Sequence, residues 1–305
     1  DGFAVIATNS WLAMRAAEAV VPDWAPAAYP AETGAIMDRI AAAFDTRPNS
    51  TLRNDGDAGA GPPPGATRIT ADYAVPFLAH ATMEPMTAMA LVEDGHLTLW
   101  AGTQVPRMAV ARAAEALGLD PSAVTLHVTF LGGGFGRRLE TDFTTLAALV
   151  AAAMPGTPVL TTWSREEDMT HDFYRPAALA RATGWVAEGR AKGFDMRIAA
   201  PSVARQAGRR IAGVGGIGPD RALVEGAHDQ PYAIPDYRVR GHIADLHIPV
   251  GFWRSVGNSY GAFFHECFID ELAHAAGADP LAFRLDHVIA AHAASARVLE
   301  AAGAM

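Results

Sequence analysis

Apolar and polar positions along this chain follow two different periods, and the switches between them mark its elements. Alternation in twos, the mark of a half-buried strand, runs through residues 67–75, 86–93, 96–101, 180–187, 193–200 and 237–247. Denser apolar or β-branched runs at 3–8, 124–130 and 159–163 predict further strands, the first of them buried. Asp94-Gly95 predicts the turn of a hairpin between 86–93 and 96–101, and 180–187 with 193–200 predicts another. Helical spacing places Trp11, Leu12, Arg15 and Ala19 on a helix over 10–20, capped by Ser10. A second helix covers 35–44 behind Thr33, and Pro106 opens a third that carries Met108, Arg112 and Leu117. Further helices are predicted over 140–154, stopped by Pro155-Gly156, and over 259–276, with Phe263, Phe264, Phe268 and Leu272 on related faces. Asp279-Pro280 starts a last helix. Residues 165–168 predict a polar turn and 202–220, rich in Gly and Arg, an aperiodic loop. Residues 48–65, rich in Gly, Pro, Asn and Asp, predict a linker. The chain therefore divides into an N-terminal α/β segment with its linker, 1–64, and a larger domain, 65–305. Hairpins followed by helices predict an α+β fold, a mixed β-sheet with helices packed on it.

Composition narrows the class. The 305 residues are 50% hydrophobic and 19% charged, ordinary for a globular protein with a sizeable core and about two domains. A net charge of −9 argues against a nucleic-acid partner. No apolar run reaches the roughly 18 residues of a membrane span. One cysteine, Cys267, excludes an internal disulfide or a cysteine-held cluster. Set among aromatics in a helix, it reads as a small core residue. Strand-like residues at the start and helical composition up to Met305 suggest a piece of a longer protein. No targeting segment is visible, which leaves periplasm and cytoplasm both open.

The densest chemistry lies at Leu131-Gly132-Gly133-Gly134-Phe135-Gly136-Arg137-Arg138. A strand leads into four glycines in five positions and a helix leaves them. That geometry aims backbone N–H groups at an anion, and the missing Cβ atoms let a ligand approach. Arg137 and Arg138 suit bidentate phosphate recognition, with the Phe135 ring as an apolar wall. The same run also serves as a plain strand-to-helix turn. His80 and Glu84 invite a metal reading, but prolines at 76 and 85 make this a poor helix, so a buried hydrogen-bonded pair is expected instead. In Gly102-Thr103-Gln104, Thr103 can cap the following helix, and the Gln104 amide can donate to a ligand or stay exposed. In Gly251-Phe252-Trp253-Arg254-Ser255-Val256-Gly257-Asn258-Ser259, Arg254 can clamp an acidic group while Ser255, Asn258 and Ser259 supply a helix cap. Alternatively, this stretch is a cap with an aromatic wedge. His265, Glu266, Asp270 and Glu271 share a helix with core aromatics, so their charges are expected to be solvated or tied to loop backbone rather than catalytic.

In order, His80-x-x-x-Glu84-Pro85, Gly102-Thr103-Gln104, Gly132 to Gly136, Arg254 to Gly257 and Phe268-Ile269-Asp270-Glu271-Leu272-Ala273 resemble the first molybdopterin-binding region of the molybdenum hydroxylases, the xanthine dehydrogenase and aldehyde oxidase family. Gly136 to Glu140, Phe252 to Gly257 and Phe268 to Ala273 are most similar to isoquinoline 1-oxidoreductase β-subunit-like aldehyde dehydrogenases. The resemblance covers about residues 65–290 and is weaker before them. It implies an oxidoreductase that hydroxylates aldehydes or N-heterocycles with a water-derived oxygen. The cofactor implied is molybdenum on molybdopterin, in the cytosine dinucleotide form. The metal is held by the pterin, so no protein metal ligands are needed. The implied partners are the remaining half of the large subunit and an iron–sulfur small subunit.

By resemblance, Gln104 hydrogen-bonds an oxo ligand, Phe135 walls the substrate pocket, and Arg254 lies near substrate and cofactor; these are the catalytic candidates. Gly133, Gly134, Gly136 and Ser255 complete the cofactor-binding candidates. Val256 and Leu139 depart from the aromatic and the carboxylate of the purine-oxidising members, which argues against a purine substrate. The catalytic glutamate of the family has no counterpart here, so the chain is expected to be inactive alone and empty of cofactor. The alternative reading is a stand-alone phosphate- or nucleotide-binding module without redox chemistry.

Overall fold

The protein is described by a computed structural model that covers residues 2–288 and 292–305. In chain order its elements are α1 (Ser10–Glu18), α2 (Thr33–Ala42), β1 (Ser50–Asp55), β2 (Thr67–Val75), β3 (Thr87–Glu93), β4 (His96–Ala101), α3 (Pro106–Leu117), β5 (Val124–Val128) and α4 (Asp142–Ala152). They continue with β6 (Val159–Thr162), α5 (Arg165–Thr170), β7 (Ala178–Ala187), β8 (Arg190–Ala200), α6 (Val203–Ala212), β9 (Asp236–Ile243), α7 (Asn258–Ala275), α8 (Pro280–His287) and α9 (Ala293–Gly303). They form two compact units, each drawn from separate stretches of chain.

The first unit comprises Asp1–Ala28, Ala79–Tyr174 and Gly251–Trp253. Its sheet has the order β5-β4-β3-β6. β3 and β4 are the expected hairpin, with Asp94 and Gly95 both at positive φ in its turn. β4 and β5 run parallel, joined through α3. Parallel neighbours need such a crossover, and it brings the ends of β4 and β5 to the same edge of the sheet. Met86, Ala88, Ala90, Leu97 and Leu99 alternate inward against Phe143, Ala147, Ala148 and Ala151 of α4. Alanines at these helix positions allow helix and sheet to approach closely.

The second unit comprises Tyr29–Leu78, Arg175–Val250 and Arg254–Met305. Its sheet has the order β1-β9-β8-β7-β2, with a β7/β8 hairpin and parallel β8 and β9. Phe264, Phe268 and Leu272 of α7 pack with Phe194, Met196, Tyr237 and Val239 of the sheet. A separate cluster gathers Ile40, Ala43 and Phe44 with Ala177, Ala199 and Leu246.

Four expectations are corrected. Residues 3–8 pair with no strand among the described residues, and Phe3 and Ile6 are 49% and 42% exposed. An apolar run alone does not make a strand when no neighbour takes its backbone groups. The expected linker contains β1, which pairs antiparallel with β9. The loop over 202–220 begins with α6, where Ser202 Oγ accepts from Arg205 N at 3.0 Å. The polar turn at 165–168 is α5, capped by Ser164 with Glu166, Glu167 and Asp168 in its first turn, where acids suit the helix dipole. In addition, α9 follows the helix expected to be last.

Candidate functional site

Parallel pairing of β4 with β5 places Gln104 and the glycine loop on one edge, because Ala101 stands opposite Val128 at the strand ends. Open α/β edges of this kind are where ligands bind. Gln104 N donates to Arg138 O at 3.0 Å, and Gln104 Oε1 accepts from Gly136 N at 3.1 Å. Among the described residues its Nε2 group has no acceptor, and the side chain is exposed. Thr103 does not cap α3 as expected. Its hydroxyl accepts from Val105 N and donates to Arg138 O, and α3 begins on Pro106 without a side-chain cap.

Gly132 and Gly136 are required by space, and a Cβ on Gly132 would fall 2.2 Å from Glu84 Cβ. A Cβ on Gly134 would come within 2.6 Å of Gln104 Oε1. Gly136 has φ +109°, and a Cβ there would run into the Phe252 carbonyl. Between them Phe135 holds φ +54°, a left-handed conformation that costs a side chain about 1–2 kcal/mol. Its ring lies back over Gly133 and remains 48% exposed.

The expected helix start behind the glycines is absent. A 3₁₀ turn, Arg137–Leu139, intervenes, and α4 begins at Asp142. Arg137 and Arg138 do not face a phosphate, because both are fully buried. A buried guanidinium needs partners, and each has them. Arg137 makes a bidentate pair with Asp142 at 2.9 and 2.8 Å and lies 3.2 Å from Asp172. Arg138 donates to Gly133 O at 2.9 Å, Gly102 O at 3.0 Å and Glu84 Oε2 at 2.7 Å.

His80 and Glu84 are both hydrogen-bonded, but not to each other. Glu84 Oε2 accepts from Gly132 N at 2.8 Å as well as from Arg138. His80 Nδ1 lies 2.9 Å from Asp172, and its Nε2 lies 3.0 Å from the Phe252 carbonyl. A carbonyl only accepts, so Nε2 carries a proton. Burial pushes the Asp172 carboxyl up, but the bond and charge of His80, with Arg137, outweigh it and hold Asp172 below the usual carboxylate range.

In the second unit, Arg254 and Ser255 are exposed before α7, and Arg254 forms no ion pair among the described residues. Ser255 and Val256 both have positive φ, at 69° and 49°. Consecutive left-handed residues with side chains are strained, a pattern common at ligand sites. The expected cap by Ser255, Asn258 or Ser259 is not made, since α7 starts from Gly257 without a side-chain bond. The acids of α7 have definite partners. Glu266 and Asp270 both bind Arg284 of α8, at 2.8 and 2.6 Å, rather than loop backbone. Burial raises Glu266, but His265 and Arg284 overcome it and lower its pKa to about 2. That carboxylate is an anchor, not a proton carrier. Cys267 is half-buried rather than a core residue, and burial pushes its thiol up, which disfavours a nucleophilic thiolate.

The structure therefore brings Gln104 and the glycine loop together, turns Arg138 into the core, and adds Asp172, which the sequence did not single out. Two arginines behind a glycine run look the same whether they face ligand or core. The available signal was the acid at Glu84, which a buried Arg could claim.

Residues 43–288 match the family described as the molybdopterin cofactor-binding domain. The chain is 30% identical to a membrane-bound aldehyde dehydrogenase (pyrroloquinoline-quinone) of Gluconacetobacter polyoxogenes, over 94% of this chain and 38% of that one. It is 32% identical to the isoquinoline 1-oxidoreductase subunit beta of Brevundimonas diminuta, over 68% of this chain and 27% of that one. Its fold matches the aldehyde oxidoreductase of Desulfovibrio gigas with a TM-score of 0.63 at 20% identity, covering 77% of this chain and 26% of the other. The chain thus spans well under half the length of each.

Proposed function

Because this chain belongs to the molybdopterin cofactor-binding domain family of the molybdenum hydroxylases, we propose that it forms one wall of the molybdenum and substrate pocket of a longer oxidoreductase. The bound cofactor would supply two-electron chemistry that hydroxylates an aldehyde or an N-heterocycle with oxygen from water. The observation that carries this reading is the half-used amide of Gln104. Gly136 N–H fixes Oε1, so Nε2 is left as a donor beside a loop in which Phe135 is the one residue between 132 and 136 that carries a Cβ. Among the described residues no three His, Cys, Asp or Glu side chains gather as metal ligands. A metal held by an organic cofactor needs what the loop offers instead, a hydrogen-bond donor and close backbone approach.

In this reading Gln104 donates to an oxygen of the metal centre, and Gly133, Gly134 and Gly136 admit the centre. The exposed Phe135 ring excludes water from the substrate side. Arg254 and Ser255 contact anionic parts of cofactor or substrate. The cofactor is the cytosine dinucleotide form. The rest of the large subunit and an iron–sulfur subunit complete the enzyme, and the catalytic carboxylate comes from outside this chain. The rival phosphate module loses its support, since both arginines are committed to internal partners.

The test is aldehyde-dependent dye reduction with metal analysis. The isolated chain is expected to fold without turnover, and turnover from this chain alone would contradict the proposal. Calorimetry with cytidine nucleotides is expected to give no micromolar binding to the isolated chain. Such binding would restore the rival.

A further inference from the structure

Arg138 touches both loops of the site by two routes. Its main-chain carbonyl accepts from Gln104 N at 3.0 Å and from Thr103 Oγ1 at 3.2 Å. Its side chain donates to Gly102 O at 3.0 Å, just before Gln104, and to Gly133 O at 2.9 Å, inside the glycine loop. A third arm reaches Glu84, at 3.3 Å to the carbonyl and 2.7 Å to Oε2. That carboxylate oxygen also accepts from Gly132 N at 2.8 Å. The guanidinium is 0% exposed, with the Phe143 ring 5.4 Å away.

These loops leave two different strands, and nothing in their local sequence sets their spacing. The glycine loop has much backbone freedom to lose, and it holds Phe135 in a left-handed conformation. Such a conformation persists only where surrounding bonds over-determine it. A planar guanidinium can satisfy acceptors in three fixed directions, which a lysine ammonium on a flexible stem does not reproduce.

We propose that Arg138, oriented by Glu84, is a positioning residue that locks the glycine loop against Gln104 and thereby aims the Gln104 amide. The proposal rests on the reading of Gln104 as the donor to the cofactor. Arg138 touches no ligand in this account and acts only through Gln104 and the loop.

The test has two arms, one of which needs no cofactor. In this chain, Arg138→Lys is expected to speed amide exchange at Gly132 and Gly136 by about tenfold, the loss of one hydrogen bond's worth of protection. Amides of the hairpin turned by Asp94-Gly95 keep their rates. Glu84→Gln, which retains an acceptor, is expected to give about threefold. Unchanged exchange at both glycines in Arg138→Lys overturns the proposal. If that variant does not fold, unchanged exchange in Glu84→Gln overturns it. In the full-length holoenzyme, Arg138→Lys is expected to lower kcat about 100-fold at constant molybdenum content, with KM within about twofold. Combined with Gln104→Ala it should cost little more than Gln104→Ala alone, because the two act in series. Additive losses overturn the proposal. Faster exchange with wild-type turnover in both single variants supports the clamp and overturns the role given to Gln104.

Discussion

Each unit contains one parallel strand pair reached through a helix, and each crossover carries a glutamine, Gln104 in the loop after β4 and Gln206 within α6. Their amides are used differently. In the second unit Gln206 spends its whole amide on the loop after β9. Nε2 donates to Leu246 O at 3.3 Å and Ile248 O at 3.1 Å, and Oε1 accepts from Val250 N at 3.0 Å. In the first unit Gln104 spends only Oε1, on Gly136 N. The same side chain in the crossover of each unit is therefore fully used in one and half used in the other. A satisfied amide marks a built joint. On the proposed reading, the end of the Gln104 amide that faces the surface is the one that meets the cofactor.

Glycine replacement should break the comparison most sharply. Gly136→Ala places a methyl against the Phe252 carbonyl at a φ that alanine resists, and it is expected to cost about 2–4 kcal/mol in chemical denaturation. Next comes Gln206→Ala. It strands Val250 N and two loop carbonyls, and should cost about 1–3 kcal/mol of stability. Gln104→Ala is expected to cost about 1 kcal/mol, less than Gln206→Ala, because it strands one part-buried donor, Gly136 N, where Gln206 serves three backbone groups. Equal losses at the two glutamines would erase the distinction drawn here.

Acid should loosen the structural side as well. Glu266 has its pKa lowered from 4.5 to about 2, so its contribution is present in full above about pH 5. It falls as pH drops through 4.5 and is lost below about 2. Asp172 is also depressed, so its contribution is lost in acid in the same direction. Thermal melts from pH 6 down to 3 should show a steady fall in Tm that Glu266→Gln flattens. A fall of the same slope in the variant would assign the effect elsewhere. The smallest effect is expected for Phe135→Gly. Relief of left-handed strain offsets the lost ring contact, leaving stability within about 1 kcal/mol of wild type.

Local period and turn chemistry made most of the fold readable. The hairpin at Asp94-Gly95, the Pro106 helix start and the aromatic face of α7 all stand where residues close in sequence decide the outcome. The parallel pairings were not readable, because β4 and β5 meet only through α3, and no local signal states which strands become neighbours. Residues 3–8 failed for the same reason, having the apolar run but no pairing partner among the described residues. Gln104 and the glycines stand out in the sequence because their order and spacing carry a family pattern, and the structure places them side by side. Arg138 could not be placed, because its acid comes from a distant stretch: Glu84 lies 54 positions away; for Arg137 the near acid Asp142 was in reach, but its second neighbour, Asp172, was not. Whether a guanidinium meets a phosphate or a buried carboxylate is settled by packing, and a one-dimensional reading does not contain it.

The most direct measurement compares kcat for aldehyde-dependent dye reduction in Gln104→Ala and Gln206→Ala forms of the full-length enzyme, with molybdenum content determined in each. The account predicts a roughly 100-fold loss for Gln104→Ala at retained molybdenum, the cost of removing one preorganised donor, and near wild-type kcat for the folded fraction of Gln206→Ala. Wild-type kcat in Gln104→Ala would contradict it.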